Sequence, residues 1–108
     1  MQVVVTGRHM SVSEAMKSYA QEKVQKFLRH VNRISEIRVV LDLEAGKPVA
    51  ECIVDVERAG DFVARETNLD MYAAIDAVVA KMERQLIKHK ELVVQRHKKR
   101  ETEKGEQA

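Results

Sequence analysis

Residues 36–67 read EIRVVLDLEAGKPVAECIVDVERAGDFVARET, and the spacing of apolar residues in this stretch decides the fold. Ile37, Val39, Leu41 and Leu43 alternate with Arg38, Asp42 and Glu44, the period of two that sends alternate side chains to opposite faces of a strand. AGKP turns the chain, and Ala50, Cys52, Val54 and Val56 then alternate against Glu51, Asp55 and Glu57. RAGD makes the next tight connection, into a strand around Phe62 to Thr67. Three strands joined by short turns imply one buried face and one face left to water, with Glu51, Asp55 and Glu57 making the wet face acidic.

Outward from this unit the period changes. Gln2 to Thr6 is a valine-rich strand stopped by Gly7. A helix follows, capped by Ser11, whose Glu14 three residues on completes a capping box, or by Ser13. Its apolar stripe is Val12, Met16, Tyr19, Ala20, Val24, Phe27, Leu28 and Val31. On the far side Asp70 caps a second helix, with Leu69 outside it as a staple residue, and Met71, Ile75, Val78, Val79, Met82 and Leu86 form the buried stripe. After about Val94 the stripe fades into QRHKKRETEKGEQA, so residues 1–95 are expected to form one domain and residues 96–108 a flexible basic and polar tail.

The order β-α-β-β-β-α places the chain among α+β folds: a four-stranded sheet with two helices on one face, similar to a double-stranded RNA-binding domain. A βαβ crossover lays its helix on one sheet face, and the last helix needs the same cover for its stripe. A length of 108 residues suits a single core.

The net charge of +2 conceals a segregation. Residues 1–41 hold seven Lys/Arg against three acids, residues 42–70 three against eight, and residues 81–100 eight against two. On the last helix Lys81, Arg84 and Lys88 fall on a face away from the apolar stripe. Lys23, Lys26, His30 and Arg33 follow one another at spacings of three and four on the first helix, with Arg29 close by. Charged residues ordinarily line solvated helix faces, but such faces interleave signs for pairing, whereas here the cations sit on the helices and the acids on the strands. That arrangement suits a polyanion.

Other classes of function have little support. His9, His30, His89 and His97 are scattered, and no catalytic set, metal site, cofactor or small-molecule substrate is expected. The lone Cys52 has no thiol to pair with and is expected to pack as a small core residue. No apolar run approaches membrane length and the chain opens directly on a strand, so no membrane partner and a cytoplasmic location are expected.

TGRHMSVSEAMKSYAQEKVQKF at residues 6–27 and DMYAAIDAVVAKMERQLIKHK at residues 70–90 carry a resemblance to the ribosome hibernation promoting factors, also called the ribosome-associated inhibitor or sigma-54 modulation family. The match extends over residues 1–95, and DMYAAID followed by K-x-x-R-Q-L-x-K is its specific part. The resemblance implies a non-enzymatic stress and stationary-phase factor that binds 16S rRNA of the small ribosomal subunit in the mRNA and tRNA channel, over the A and P sites, and inhibits translation. Carried over position by position, it implies rRNA contacts at Lys23, Lys26, Lys81, Arg84 and Lys88; Arg29, His30, Arg33, His89 and Lys90 are candidates for additional rRNA contacts beside them. Long members of the family carry a further dimerisation domain. Similarity to the short form implies that this chain promotes ribosome dimers only together with a ribosome modulation factor. Two other readings stand beside it: a general double-stranded RNA-binding protein, and a sigma-54 modulating module that docks a protein on its acidic sheet face.

Overall fold

The computed structural model describes residues 1–107, with side chains described through Val94. In chain order the elements are β1 (Gln2–Arg8), α1 (Glu14–Lys23), a 3-10 segment (Val24–Arg29), β2 (Ile34–Glu44), β3 (Lys47–Val56), β4 (Gly60–Thr67) and α2 (Met71–Gln107). The expected four strands and two helices are all present. The backbone of α2 runs to Gln107, while the side chains from residue 95 onward, and with them the expected flexible tail 96–108, lie outside the described residues.

The strands lie in the order β1-β2-β3-β4, with β1 parallel to β2 and the remaining pairs antiparallel. A parallel pair needs a long crossover, and α1 with its 3-10 extension supplies it. The β2–β3 connection is two residues long: Ala45 and Gly46 both have positive φ, 51° and 78°, the combination whose twist matches a hairpin.

Both helices cover one face of the sheet. Ile37, Val39, Leu41, Ala50, Cys52, Val54 and Ala64 meet Ala20, Val24, Phe27, Ala74, Ile75, Val78, Val79, Met82 and Leu86 in a single core. Since β4 is parallel to β1, α1 and α2 both start at the same end of the sheet and run side by side. Contacts between residues 19 and 76, then 23 and 76, then 30 and 83, follow that common direction.

Local details settle one choice that the sequence left open and depart from the sequence reading elsewhere. Ser13 is the N-cap of α1, its Oγ accepting from Met16 N at 3.1 Å, so the Ser11–Glu14 box is not the one that starts the helix. From Val24 the chain tightens to three residues per turn, which stacks Val24 over Phe27 in the core and turns Leu28 outward. Asp70 caps α2 as expected, accepting from Ala73 N at 2.9 Å, but Leu69 is 95% exposed and staples nothing. Glu57 lies beyond the end of β3 in the turn, where its N–H donates to the Arg33 carbonyl at 2.7 Å.

Candidate nucleic-acid interface

The 3-10 segment does more than close the core. Residues three apart eclipse in this helix type, so the column Val24–Phe27 that points inward has beside it Lys23, Lys26 and Arg29. Lys26 is half-buried along its stem and Arg29 is exposed, each fixed by the apolar neighbour that anchors the turn. Arg33 follows in the loop before β2, exposed, with its carbonyl pinned by Glu57 N.

On α2 the expected row divides. Arg84 is on the outer face, exposed beside Ala80. Lys88 stands over the β4 side of the helix, in a shallow groove with Phe62, Gln85, His89 and Leu92. Lys81 is turned to the same side, where Nζ donates to the Arg65 carbonyl at 3.3 Å and lies 3.6 Å from Glu66 Oε1. Gln85 Nε2 donates to the Val63 carbonyl at 3.1 Å. Lys81 and Gln85 thus occupy backbone acceptors of the edge strand β4, which ties Lys81 to the fold as well as to the surface. His89 packs its ring against Phe62, with centroids 5.1 Å apart. Lys90 faces the other way, into a groove between α2 and the 3-10 segment with His30, Ile87, Glu91 and Val94.

The seam between the helices holds a polar cluster that the helical spacing of the cations does not announce. Tyr19 donates its hydroxyl to Asp76 Oδ1 at 2.6 Å, and this bond holds the phenol protonated, its pKa pushed up to about 12. Lys23 Nζ lies 3.9 Å from the same oxygen and 5.3 Å from the Tyr19 ring centroid. Tyr72 meets Tyr19 edge to face, with centroids 5.1 Å apart and planes at 84°. One level further along, His30 Nε2 donates to Glu83 Oε2 at 3.2 Å. Tyr72 and Asp76 are four residues apart, the spacing that puts them on one helix face, and that is the signal by which sequence alone could have paired them.

Among the described residues, Lys26, Arg29, Arg33, Arg84, Lys88 and Lys90 have no carboxylate within 4.0 Å. These cations therefore present their charge outward, from backbone that the core holds still. A row of that kind neutralises phosphates without reading bases.

A second missed cluster lies where β1 ends. Asp42 is buried, and its carboxylate accepts from His9 Nδ1 at 2.9 Å and from Leu43 N at 2.8 Å, with Arg8 Nη1 3.9 Å away. The bond from His9 above all, helped by Leu43 N and the nearby positive charge, holds the Asp42 carboxyl below the usual carboxylate range. His9 reaches it from a left-handed backbone with φ 60°. Gly7 is required just before, because a Cβ there would stand 2.4 Å from the Met10 carbonyl oxygen. Among the described residues no group of three or more His, Cys, Asp or Glu is gathered to hold a metal, and no helix is long and apolar enough to cross a membrane.

A family profile described as sigma 54 modulation protein / S30EA ribosomal protein matches residues 3–93. The ribosome hibernation promoting factor of Azotobacter vinelandii is 40% identical over 96 residues, covering 89% of this chain and 89% of that protein. Its counterpart in Escherichia coli strain K12 is 34% identical over 95 residues, covering 88% and 99%. Among solved structures, the N-terminal domain of Thermus thermophilus Protein Y superposes with a TM-score of 0.69 at 29% identity, covering 82% of this chain and 94% of that one. A ribosomal subunit interface protein from Coxiella burnetii superposes with a TM-score of 0.74, covering 83% and 98%, and at 23% identity that likeness is one of fold.

Proposed function

The chain belongs to the sigma 54 modulation protein / S30EA ribosomal protein family, and on that premise we propose that it is a ribosome hibernation factor acting by occupation. Residues 1–95 bind 16S rRNA of the small subunit in the mRNA and tRNA channel, across the A and P sites. A rigid domain lodged there excludes mRNA and tRNA by volume, so inhibition needs no reaction. Together with a ribosome modulation factor, the bound protein promotes inactive ribosome dimers.

The observation that carries this reading is the set of outward cations without carboxylate partners on the helical layer: Lys26, Arg29, Arg84 and Lys88, reinforced by Arg33 and Lys90. Lys23, in the seam between the two helices, and Lys81, at the β4 edge, belong to the same layer, each already engaged by an acid. His30 lies in that seam, held by Glu83, and His89 lies on the β4 side, against Phe62. Cations so placed recognise folded RNA through its backbone shape.

Pelleting with small ribosomal subunits across a salt series tests the proposal. The triple variant Lys26→Glu, Arg84→Glu, Lys88→Glu should keep its circular-dichroism melt yet lose binding. Its dependence of log affinity on log salt should be shallower by roughly two to three units. Glu51→Gln with Asp55→Gln, on the open sheet face, should bind like the parent. Equal binding by the helix triple and the parent would reduce the cations to a solvated surface.

A further inference from the structure

An acid in the middle of a phosphate-binding layer repels the ligand unless it accepts something from it. Asp76 is such an acid. It is half exposed, and Oδ1 alone takes the Tyr19 hydroxyl and the approach of Lys23, leaving Oδ2 without a hydrogen-bond partner among the described residues. One turn earlier on the same face is Tyr72, 37% exposed, its ring braced edge to face by Tyr19. The Tyr19 hydroxyl is in turn fixed by Asp76. An aromatic ring, a carboxylate acceptor and an ammonium group are thereby held together between two helices that share one core.

We infer that Tyr72, Asp76 and Lys23 form a subsite for one unpaired guanine of the bound rRNA. The base stacks on Tyr72, its N1–H and N2–H donate to the Asp76 carboxylate, and Lys23 meets the adjoining phosphate. Stacking with edge recognition is how proteins read unpaired RNA bases, and among the bases guanine offers two adjacent donors to a carboxylate. Lys23, 3.9 Å from Oδ1, can leave the carboxylate for a phosphate at little cost, because exposed ion pairs are weak. The site adds base selection to a layer that otherwise recognises only backbone. Its partner cation, its brace and its free oxygen all come from residues whose helical positions are set by the core.

This subsite rests on the reading of the helical layer as an rRNA interface, and two chemical probes separate the two. Small subunits are loaded with the full-length protein, and 16S rRNA is probed with hydroxyl radicals for the backbone and with kethoxal for unpaired guanine edges. The parent should protect a backbone patch and at least one guanine. Tyr72→Leu and Asp76→Asn should each return that guanine to kethoxal reactivity while the backbone patch persists, and Tyr72→Phe should protect it as the parent does. Tyr72→Leu should also weaken binding about 5- to 100-fold with the salt slope unchanged, since stacking releases no counterions. Asp76→Asn preserves shape and an acceptor for Tyr19, so it remains informative if Tyr72→Leu melts early. A parent that protects backbone but no guanine, or variants whose kethoxal pattern matches the parent's, would overturn the subsite. A parent with no backbone protection would instead overturn the rRNA reading beneath it.

Discussion

On the open face of the sheet each arginine has an acid beside it: Arg38 Nε is 2.7 Å from Glu36 Oε1, Arg65 pairs with Glu44, and Arg8 leans on Asp42. On the helical layer Lys26, Arg29, Arg84 and Lys88 have no such partner among the described residues. Pairing within the molecule is what a surface does when water is its only neighbour, and it leaves little field to attract a distant anion. Cations carried without partners on a rigid layer keep their field and lose only counterions when phosphate arrives. Segregation of sign between two faces therefore tells more about the ligand than the net charge of +2 does.

That contrast depends on the helical layer being rigid, so its sharpest challenge is to the residue beneath the 3-10 segment. Phe27 is fully buried, and Phe27→Ala should lower stability by about 3–5 kcal/mol, read by urea unfolding. A small loss would mean that Lys26 and Arg29 are not held by the core at all. The next largest effect belongs to the one acid of the open face that is buried. Because Asp42 is harder to protonate folded than unfolded, its contribution is complete above the ordinary carboxylate pKa and is lost as pH falls through the lower folded value. Asp42→Asn should weaken the fold at neutral pH and flatten the acid limb of the stability profile; an unchanged acid limb would show that the His9 contact contributes nothing. The smallest and most discriminating pair lies within the cationic row itself. Lys81→Gln should cost less than about 1 kcal/mol of stability through its lost contacts with β4. Lys88→Gln should leave the melt unchanged and lower the salt slope for small-subunit binding by up to about one unit. Identical behaviour of the two variants would erase the distinction between a cation engaged at the sheet edge and one left outward.

Strands β2 to β4 and both helices were legible in the sequence because periods of two and 3.6 separate over eight residues or more, and the seven-residue β1 was legible as a valine-rich run stopped by Gly7. Six residues are too few to separate 3.6 from 3.0 per turn, so Leu28 reads as a core residue and stands 40% exposed. Helical spacing collects Lys81, Arg84 and Lys88 on one face, yet the use of Lys81 depends on where the edge of β4 comes to lie, and strand order is invisible in the pattern of any one element. The same holds for His9 with Asp42, 33 residues apart, and for Tyr19 with Asp76, 57 residues apart. Ser11 and Ser13 compete on equal chemistry, and the structure gives the cap to Ser13. The polar pairings that escaped the sequence were meetings of side chains from different elements.

The thiol in the centre of the core has a consequence for chemistry over time. Cys52 is fully enclosed, and burial pushes its pKa up to about 12, so at neutral pH the thiol stays protonated. Peroxides and disulfides react with the thiolate anion and must reach the sulfur to do so, and the folded protein denies them both. The intact domain therefore offers oxidants and disulfides no handle at Cys52. Modification of Cys52 would record that a molecule had opened.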